Sequence, residues 1–387
     1  MISFSNTENA FKAKSNSDLN RSYWLFKLIS SPILVALGSK MTSPLLNIGF
    51  KGLIKKTIFK QFVGGENITE CDKTISELGE YHIGTILDYS VEGKENDVDF
   101  DNCCQEIIKT IHKAKNNDRI PFCVFKVTGL AKFDLLEKVS ASSKLTNEEM
   151  TEYEKVKERV FLICKVAYDL KQAVFIDAEE SWIQTAIDTL ANENMANFNK
   201  DQAIVFNTFQ LYRKDQLAFL KDCVADGELN GYRIGAKLVR GAYMEKERMR
   251  AFEKNYPSPI QESKELTDKD YNLALKLCVN NIKSVSFCAG THNEESCLFL
   301  VNLLSQNNIL PNNKGIYFSQ LLGMSDHISY NLAAANYNVA KYVPYGPVEE
   351  VLPYLIRRAQ ENTSVKGQTG RELSLIIKEK RRRKTIN

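Results

Sequence analysis

The sequence predicts an α/β fold, a (βα)8 TIM-like barrel preceded by an N-terminal helical arm, on three observations. From residue 84 onward, short β-rich runs alternate with longer stretches of helical periodicity. There are eight such β-rich runs, and most are near-continuously apolar, as expected of parallel strands covered on both faces. No GxGxxG occurs among the 19 Gly, which makes a doubly wound sheet the second choice. The expected division is an arm over residues 1–80, a barrel over 81–370 and a basic tail over 371–387.

The arm begins MISFSNTENAFKAK, with Glu8 early, no Arg and no apolar core, unlike a presequence or signal peptide. Its charge-free stretch from Leu28 to Ser39 contains Pro32 and is shorter than the roughly 20 residues a helical span requires. From Tyr23 to Phe62 apolar residues mix with Lys40, Lys51, Lys55, Lys56 and Lys60. That mixture is expected to pack on the main domain, with a membrane-surface role as the lesser reading.

The expected strands are GTILDYS (84–90), FCVFKVT (122–128), AVFIDAE (173–179), AIVFNTF (203–209), RIGAKLV (233–239), SVSFCAG (284–290), GIYFSQL (315–321) and VAKYVPY (339–345). Amphipathic segments such as 154–171 and 294–306 lie between them, and Thr146 with Glu149 forms a capping box opening one helix. The tail run KEKRRRK (378–384) reads as a solvated, frayed helix end, ahead of a role in binding anionic lipid.

Composition narrows the function. The 387 residues are 43% hydrophobic and 26% charged, within the globular range. The 51 basic and 48 acidic residues leave a formal charge of +3, too slight for a dedicated nucleic-acid binder. Nine Cys without a CxxC suggest reduced thiols and a cytoplasmic setting, with peripheral contact to the inner membrane as an additional expectation. The four His (82, 112, 292, 327) are dispersed, and no GxxxxGK[ST], HExxH or GxSxG occurs, so no metal site is expected.

In a barrel, active-site groups gather at the C-terminal strand ends. Those ends carry Lys126, Asp177 with Glu179 and Glu180, Gln210 and Tyr212, and then Lys237 followed by Val239, Arg240, Gly241, Ala242 and Tyr243. The later strands end in Thr291, His292 and Asn293, in Gln320 and Leu321, and in Tyr342 to Gly346. Pro347 opens a last helix on which Tyr354, Arg357 and Arg358 share a face, with Glu361 one turn on. Each residue has an ordinary explanation: an Arg pair on a solvated face, acids suited to a helix start, tyrosines that merely pack. Their convergence at one end of nearly every strand points to a pocket, and the Arg pair to a small anionic substrate.

The segments KLVRGAYMEKER, FIDAEE, GTHNEES, QLLGMSDHIS and YVPYGPVEEVLPYLIRRAQEN resemble the FAD-dependent proline dehydrogenase family, from about residue 62 to the C-terminal region. The resemblance implies a distorted (βα)8 barrel with FAD near the strand C-termini. It implies that Arg357, Arg358 and Lys126 bind the carboxylate of L-proline. Tyr243, Tyr342, Tyr354 and Leu321 would enclose its ring, and Asp177 would join this polar network. Gln210, Lys237, Val239, Gly241, Ala242, Thr291, His292, Asn293, Gln320, Arg358 and Glu361 would line the flavin. The implied reaction is hydride transfer from proline to flavin N5, giving Δ1-pyrroline-5-carboxylate, with electrons passed to a membrane quinone as the first step of proline catabolism. The product would go to a separate pyrroline-5-carboxylate dehydrogenase.

Lys237 departs from many bacterial members, which carry Arg there. Tyr342 favours proline, because hydroxyproline-specific relatives carry a smaller polar residue at that place. Hydroxyproline oxidation is the near alternative. Others are a Schiff-base lyase or aldolase barrel using Lys126 or Lys237, and a non-catalytic membrane-surface protein.

Overall fold

The computed structural model describes residues 2–29, 52, 55–89, 95–351, 354–356 and 368–386. Strands form where the apolar runs predict them: β1 (Ile83–Tyr89), β2 (Phe122–Phe125), β3 (Ala173–Ile176), β4 (Val205–Gln210), β5 (Ile234–Val239), β6 (Val285–Gly290), β7 (Ile316–Leu321) and β8 (Val339–Tyr345). They follow one another in sequence order around a closed barrel, so the fold is the expected (βα)8 class and not a doubly wound sheet. Two strands stop three residues before their apolar runs do. The Asp177 amide donates to the Phe125 carbonyl at 2.9 Å. Beyond that bond, the Thr128 amide donates to the Glu179 carboxylate at 3.0 Å, and the chain turns through a 3-10 helix, Val127–Gly129.

Contacts group the chain into two compact units, residues 91–319 and residues 1–90 with 320–387. The first holds β2 to β6 and most of β7. Its interior has an aromatic cluster: Phe122 stacks on Phe175 at 4.3 Å and meets Phe206 and Tyr317 edge-on at 5.4 and 4.9 Å. Such edge and offset contacts suit the ring quadrupoles. The capping box is present: Thr146 accepts from the Glu149 amide at 3.2 Å and Glu149 from the Thr146 amide at 2.9 Å. It opens the helix Asn147–Asp169, whose Val156, Val160, Ile163 and Ala167 recur at three- and four-residue spacing and are buried. The segment 294–306 is also helical, as expected. Helices are doubled after β2 and again after β5.

In the second unit β1 and β8 run parallel, with Ile83 opposite Val339 and Tyr89 opposite Tyr345. The described part of residues 1–80 is helical, notably Asn16–Ile29 and Cys71–Gly79. Leu25, Phe59, Phe62 and Val63 share one apolar cluster with Met324, Val348, Val351, Tyr354 and Leu355.

The tail differs from its expectation. Residues 378–384 lie inside the helix Gln368–Ile386, where Leu375 and Ile376 pack with Ala10, Phe11, Leu19 and Phe26. Its basic run is partly neutralised: Glu379 is buried between Arg382 and Arg383, at 2.8 and 2.7 Å. Arg383 also donates to the carbonyls of Phe11 and Lys14 at 2.9 and 2.8 Å. These contacts order the end that charge alone would leave frayed. Among the described residues, no helix is long and apolar enough to cross a membrane.

Candidate active site

Three ionisable side chains meet at the ends of β2 and β3 and on β5. Asp177, just past β3, accepts from Lys126 Nζ through Oδ2 at 3.0 Å and from Lys237 Nζ through Oδ1 at 2.5 Å. Lys126 is the first residue beyond β2, and Lys237 is the fourth of β5, with its ammonium 5.4 Å over the Phe175 ring. Asp177 and Lys237 are each 7% exposed. Lys126 is half-buried, and holding its ammonium beside the buried one of Lys237 is costly unless a carboxylate and an aromatic face compensate. Two ammonium donors converging on one carboxylate form a donor set that suits an anionic ligand.

Glu179, two residues on, ties the ends of β2 and β3 together. Its carboxyl accepts the Thr128 amide at 3.0 Å and the Thr128 hydroxyl at 2.5 Å. Complete burial pushes its pKa up to about 8, against the opposing pull of those hydrogen bonds and of Lys126. The Glu179 carbonyl accepts from Gln210 Nε2 at 3.1 Å. Gln210 Oε1, at the end of β4, is buried and has no hydrogen-bond partner among the described residues. Buried acceptors rarely go unpaired, so this oxygen calls for a donor from a bound group.

After β5 the backbone passes over the Tyr212 ring at Gly241. This residue has φ +136°, and a Cβ there would lie 2.3 Å from the ring. Only glycine fits so close an approach. Gly241 and Ala242 are exposed, and Val239 is half-buried. Tyr243, 9% exposed, is the N-cap residue of the helix Met244–Glu253. Glu247 of that helix accepts the Ser181 amide and hydroxyl, each at 2.6 Å, which fixes the helix to the segment following Asp177.

Beyond β6, Thr291 receives a hydrogen bond from Arg240 at 2.6 Å, and Arg240 is itself paired with Asp268 at 2.7 Å. Asn293 caps the helix Glu294–Gln306, accepting from the Ser296 amide at 2.9 Å. His292 is half-buried between them.

In the other unit, Gln320 and Leu321 end β7, and Tyr342 lies on β8. Gln320 Oε1 accepts from Ser329 Oγ at 2.8 Å. Leu321 packs against the apolar cluster that contains Tyr354, and Tyr342 and Tyr354 are 7% and 6% exposed. Arg357, Arg358 and Glu361 lie outside the described residues.

Lys126, Asp177, Gln210, Val239, Thr291, Gln320 and Leu321 lie at or just beyond strand ends, Lys237 and Tyr342 lie within β5 and β8, and Lys126, Asp177 and Lys237 form one ionic cluster. Glu179 and Arg240 stand among the strand-end residues without an expected role, and Glu247 is marked only by lying within KLVRGAYMEKER. Their partners lie 51 residues away for both Glu179 and Arg240 and 66 away for Glu247, so no local spacing reports them.

A (βα)8 barrel with buried, paired charges at its strand ends is the architecture of an enzyme. The profile of the family described as proline dehydrogenase matches residues 71–371. The chain is 31% identical to a mitochondrial proline dehydrogenase 1 of Dictyostelium discoideum, over 97% of this chain and 74% of that protein. It is also 31% identical to a hydroxyproline dehydrogenase of Xenopus laevis, over 99% of this chain and 90% of that one. Proline utilization A from Bdellovibrio bacteriovorus has the same fold, with a TM-score of 0.75 at 19% identity, over 94% of this chain and 41% of that longer one. The chain belongs to the proline dehydrogenase family, and so to the oxidoreductases.

Two outcomes follow for the cluster. Asp177→Asn leaves the buried Lys237 ammonium and the half-buried Lys126 ammonium without this carboxylate and should lower stability by about 3 kcal/mol in urea unfolding. Glu179 holds a raised pKa, so its contribution is full below the unfolded value near 4.5 and is lost as pH rises through about 8. Thermal midpoints of the native protein should fall across that window, and Glu179→Gln, which mimics the neutral form, should flatten the decline.

Proposed function

We propose that the chain is an FAD-dependent proline dehydrogenase that oxidises L-proline to Δ1-pyrroline-5-carboxylate. The observation that carries this reading is the Lys126–Asp177–Lys237 cluster beside the unpartnered Gln210 oxygen, in a chain of this family. The oxygen suits a ring N–H of a flavin, and the exposed glycine backbone at 241 suits close approach by a flat group, so the residues fit the cofactor. Bound there, FAD supplies the two-electron acceptor for the hydride leaving the carbon beside the proline nitrogen.

The chain's own residues have separable tasks. Asp177 holds Lys126 and Lys237 in fixed directions, so that each ammonium meets its ligand without a search through rotamers. Lys126, with Arg357 and Arg358, grips the substrate carboxylate, and the planar guanidinium forks set its orientation. Tyr243, Tyr342, Tyr354 and Leu321 provide apolar walls for a saturated ring and keep water from it. Val239, Ala242, Thr291, His292, Asn293, Gln320 and Glu361 complete the cofactor surface. The amine proton passes to solvent. Electrons then go to a membrane quinone through peripheral contact, and a separate dehydrogenase takes the product.

A Schiff-base lyase is disfavoured, since both lysines are ion-paired with Asp177 and not poised as free amines. Hydroxyproline is the closer rival, because the Xenopus laevis hydroxyproline dehydrogenase aligns over nearly the whole chain. The buried Tyr342 ring argues for the smaller, unhydroxylated substrate.

The purified full chain should be yellow, and its visible flavin bands should bleach on adding proline. A colourless protein that fails to oxidise proline with added FAD and an artificial acceptor would overturn the reading, as would a borohydride-trapped substrate adduct on Lys126 or Lys237. Tyr342→Ser should raise the ratio of kcat/KM for hydroxyproline over proline by about tenfold, in the range of a single pocket contact.

A further inference from the structure

β8 carries a second buried charge that the reaction does not use. Lys341 is completely buried, and its Nζ lies 2.9 Å from Asp326 Oδ1. The same ammonium donates to the carbonyls of Leu321 and Met324 at 3.3 and 2.5 Å. Neighbouring strand residues point to opposite faces, so Lys341 and Tyr342 leave β8 on opposite sides. Tyr342 also holds this turn, through its carbonyl, which accepts the Leu322 amide at 2.9 Å. The turn that ends β7 is thus fastened to both residues.

That turn is strained. Gly323 has φ +74° and Ser325 has φ +51°, and the second is a conformation that L side chains rarely adopt. A Cβ at position 323 would lie 2.1 Å from the Gln61 carbonyl oxygen. Such backbone persists only where its surroundings over-determine it. Here they come from distant parts of the chain. Gln61 Nε2 donates to the Gly323 carbonyl at 3.0 Å, and the Ser325 amide donates to the Glu372 carboxylate of the C-terminal helix. Lys14 pairs with the second oxygen of Asp326 at 3.2 Å. Its two cations hold Asp326 at about 2, against a burial effect that alone would raise it, while burial pulls Lys341 down from the usual lysine range.

We infer that Lys341 is a positioning residue: with Asp326, Lys14 and Glu372 it fixes the turn Leu321–Ser325 and so sets the place of the Leu321 side chain in the substrate pocket. The inference rests on the proposed role of Leu321 as a wall for the proline ring. It assigns work to both chain termini, since Lys14 and Glu372 lie more than three hundred residues apart.

The test compares native enzyme with Lys341→Met, Lys341→Arg and Lys14→Met in steady-state proline oxidation, with flavin content measured by absorbance. Loosening a pocket wall weakens ground-state fit more than chemistry, so Lys341→Met should raise KM about tenfold with kcat within about twofold. Lys341→Arg, which keeps the charge and donors, should recover most of that loss. Lys14 lies at the edge of the network with 20% of its side chain exposed, so its loss disturbs the fold less than loss of the fully buried Lys341. Lys14→Met should raise KM about threefold, and it decides the matter if Lys341→Met does not fold. Unchanged KM in the folded variants, or a rise in KM matched by an equal loss of flavin content, overturns the inference and leaves the proline reading standing. A native protein that does not oxidise proline overturns both.

Discussion

The candidate site depends on one carboxylate accepting from two lysines. Asp177 stands where β3 ends, and Lys126 and Lys237 arrive from strands on either side of it in the barrel order. Without the carboxylate the ammonium groups would repel one another in a medium that screens poorly. With it, they become fixed donors, and Lys237 stands over Phe175, whose ring packs on Phe122 and Phe206. The early ends of β2 and β3 belong to the same arrangement, since the backbone leaves the ladder where Asp177 and Glu179 begin to bind side chains and amides across the gap.

Much of this is legible in the sequence because it is periodic or local. Eight apolar runs separated by amphipathic stretches give the barrel, and Thr146 with Glu149 gives a helix start to the residue. Polar residues crowding at strand ends locate Lys126, Asp177, Gln210 and Lys237. Which of them touch is a different kind of fact. The Asp177 contacts span 51 and 60 residues, and the sequence has no period at such a distance. Glu179 shows the difficulty: beside Asp177 and Glu180 it reads as one acid at a helix start, yet its burial pushes its pKa up to about 8.

The termini show the reverse error, where a local signal is strong and misleading. Six basic residues in seven suggest a solvated end. The structure instead turns three of the seven inward: Glu379 is buried, and Arg382 and Arg383 close over it while Arg383 reaches the carbonyls of the first helices. Charge density along a helix does not reveal that its opposite stripe, with Leu375 and Ile376, is apolar enough to pack. The ends of the chain are thereby built into the same unit as β1 and β8.

All nine cysteines are buried thiols. Burial pushes Cys104, Cys123, Cys164, Cys223, Cys278, Cys288 and Cys297 upward in pKa, so the reactive thiolate is scarce as well as hidden. An alkylating reagent meets them only when the surrounding helices and strands part. The chain thus carries its own set of chemical clocks, spread from Cys71 to Cys297, whose labelling rates time the local breathing of each element.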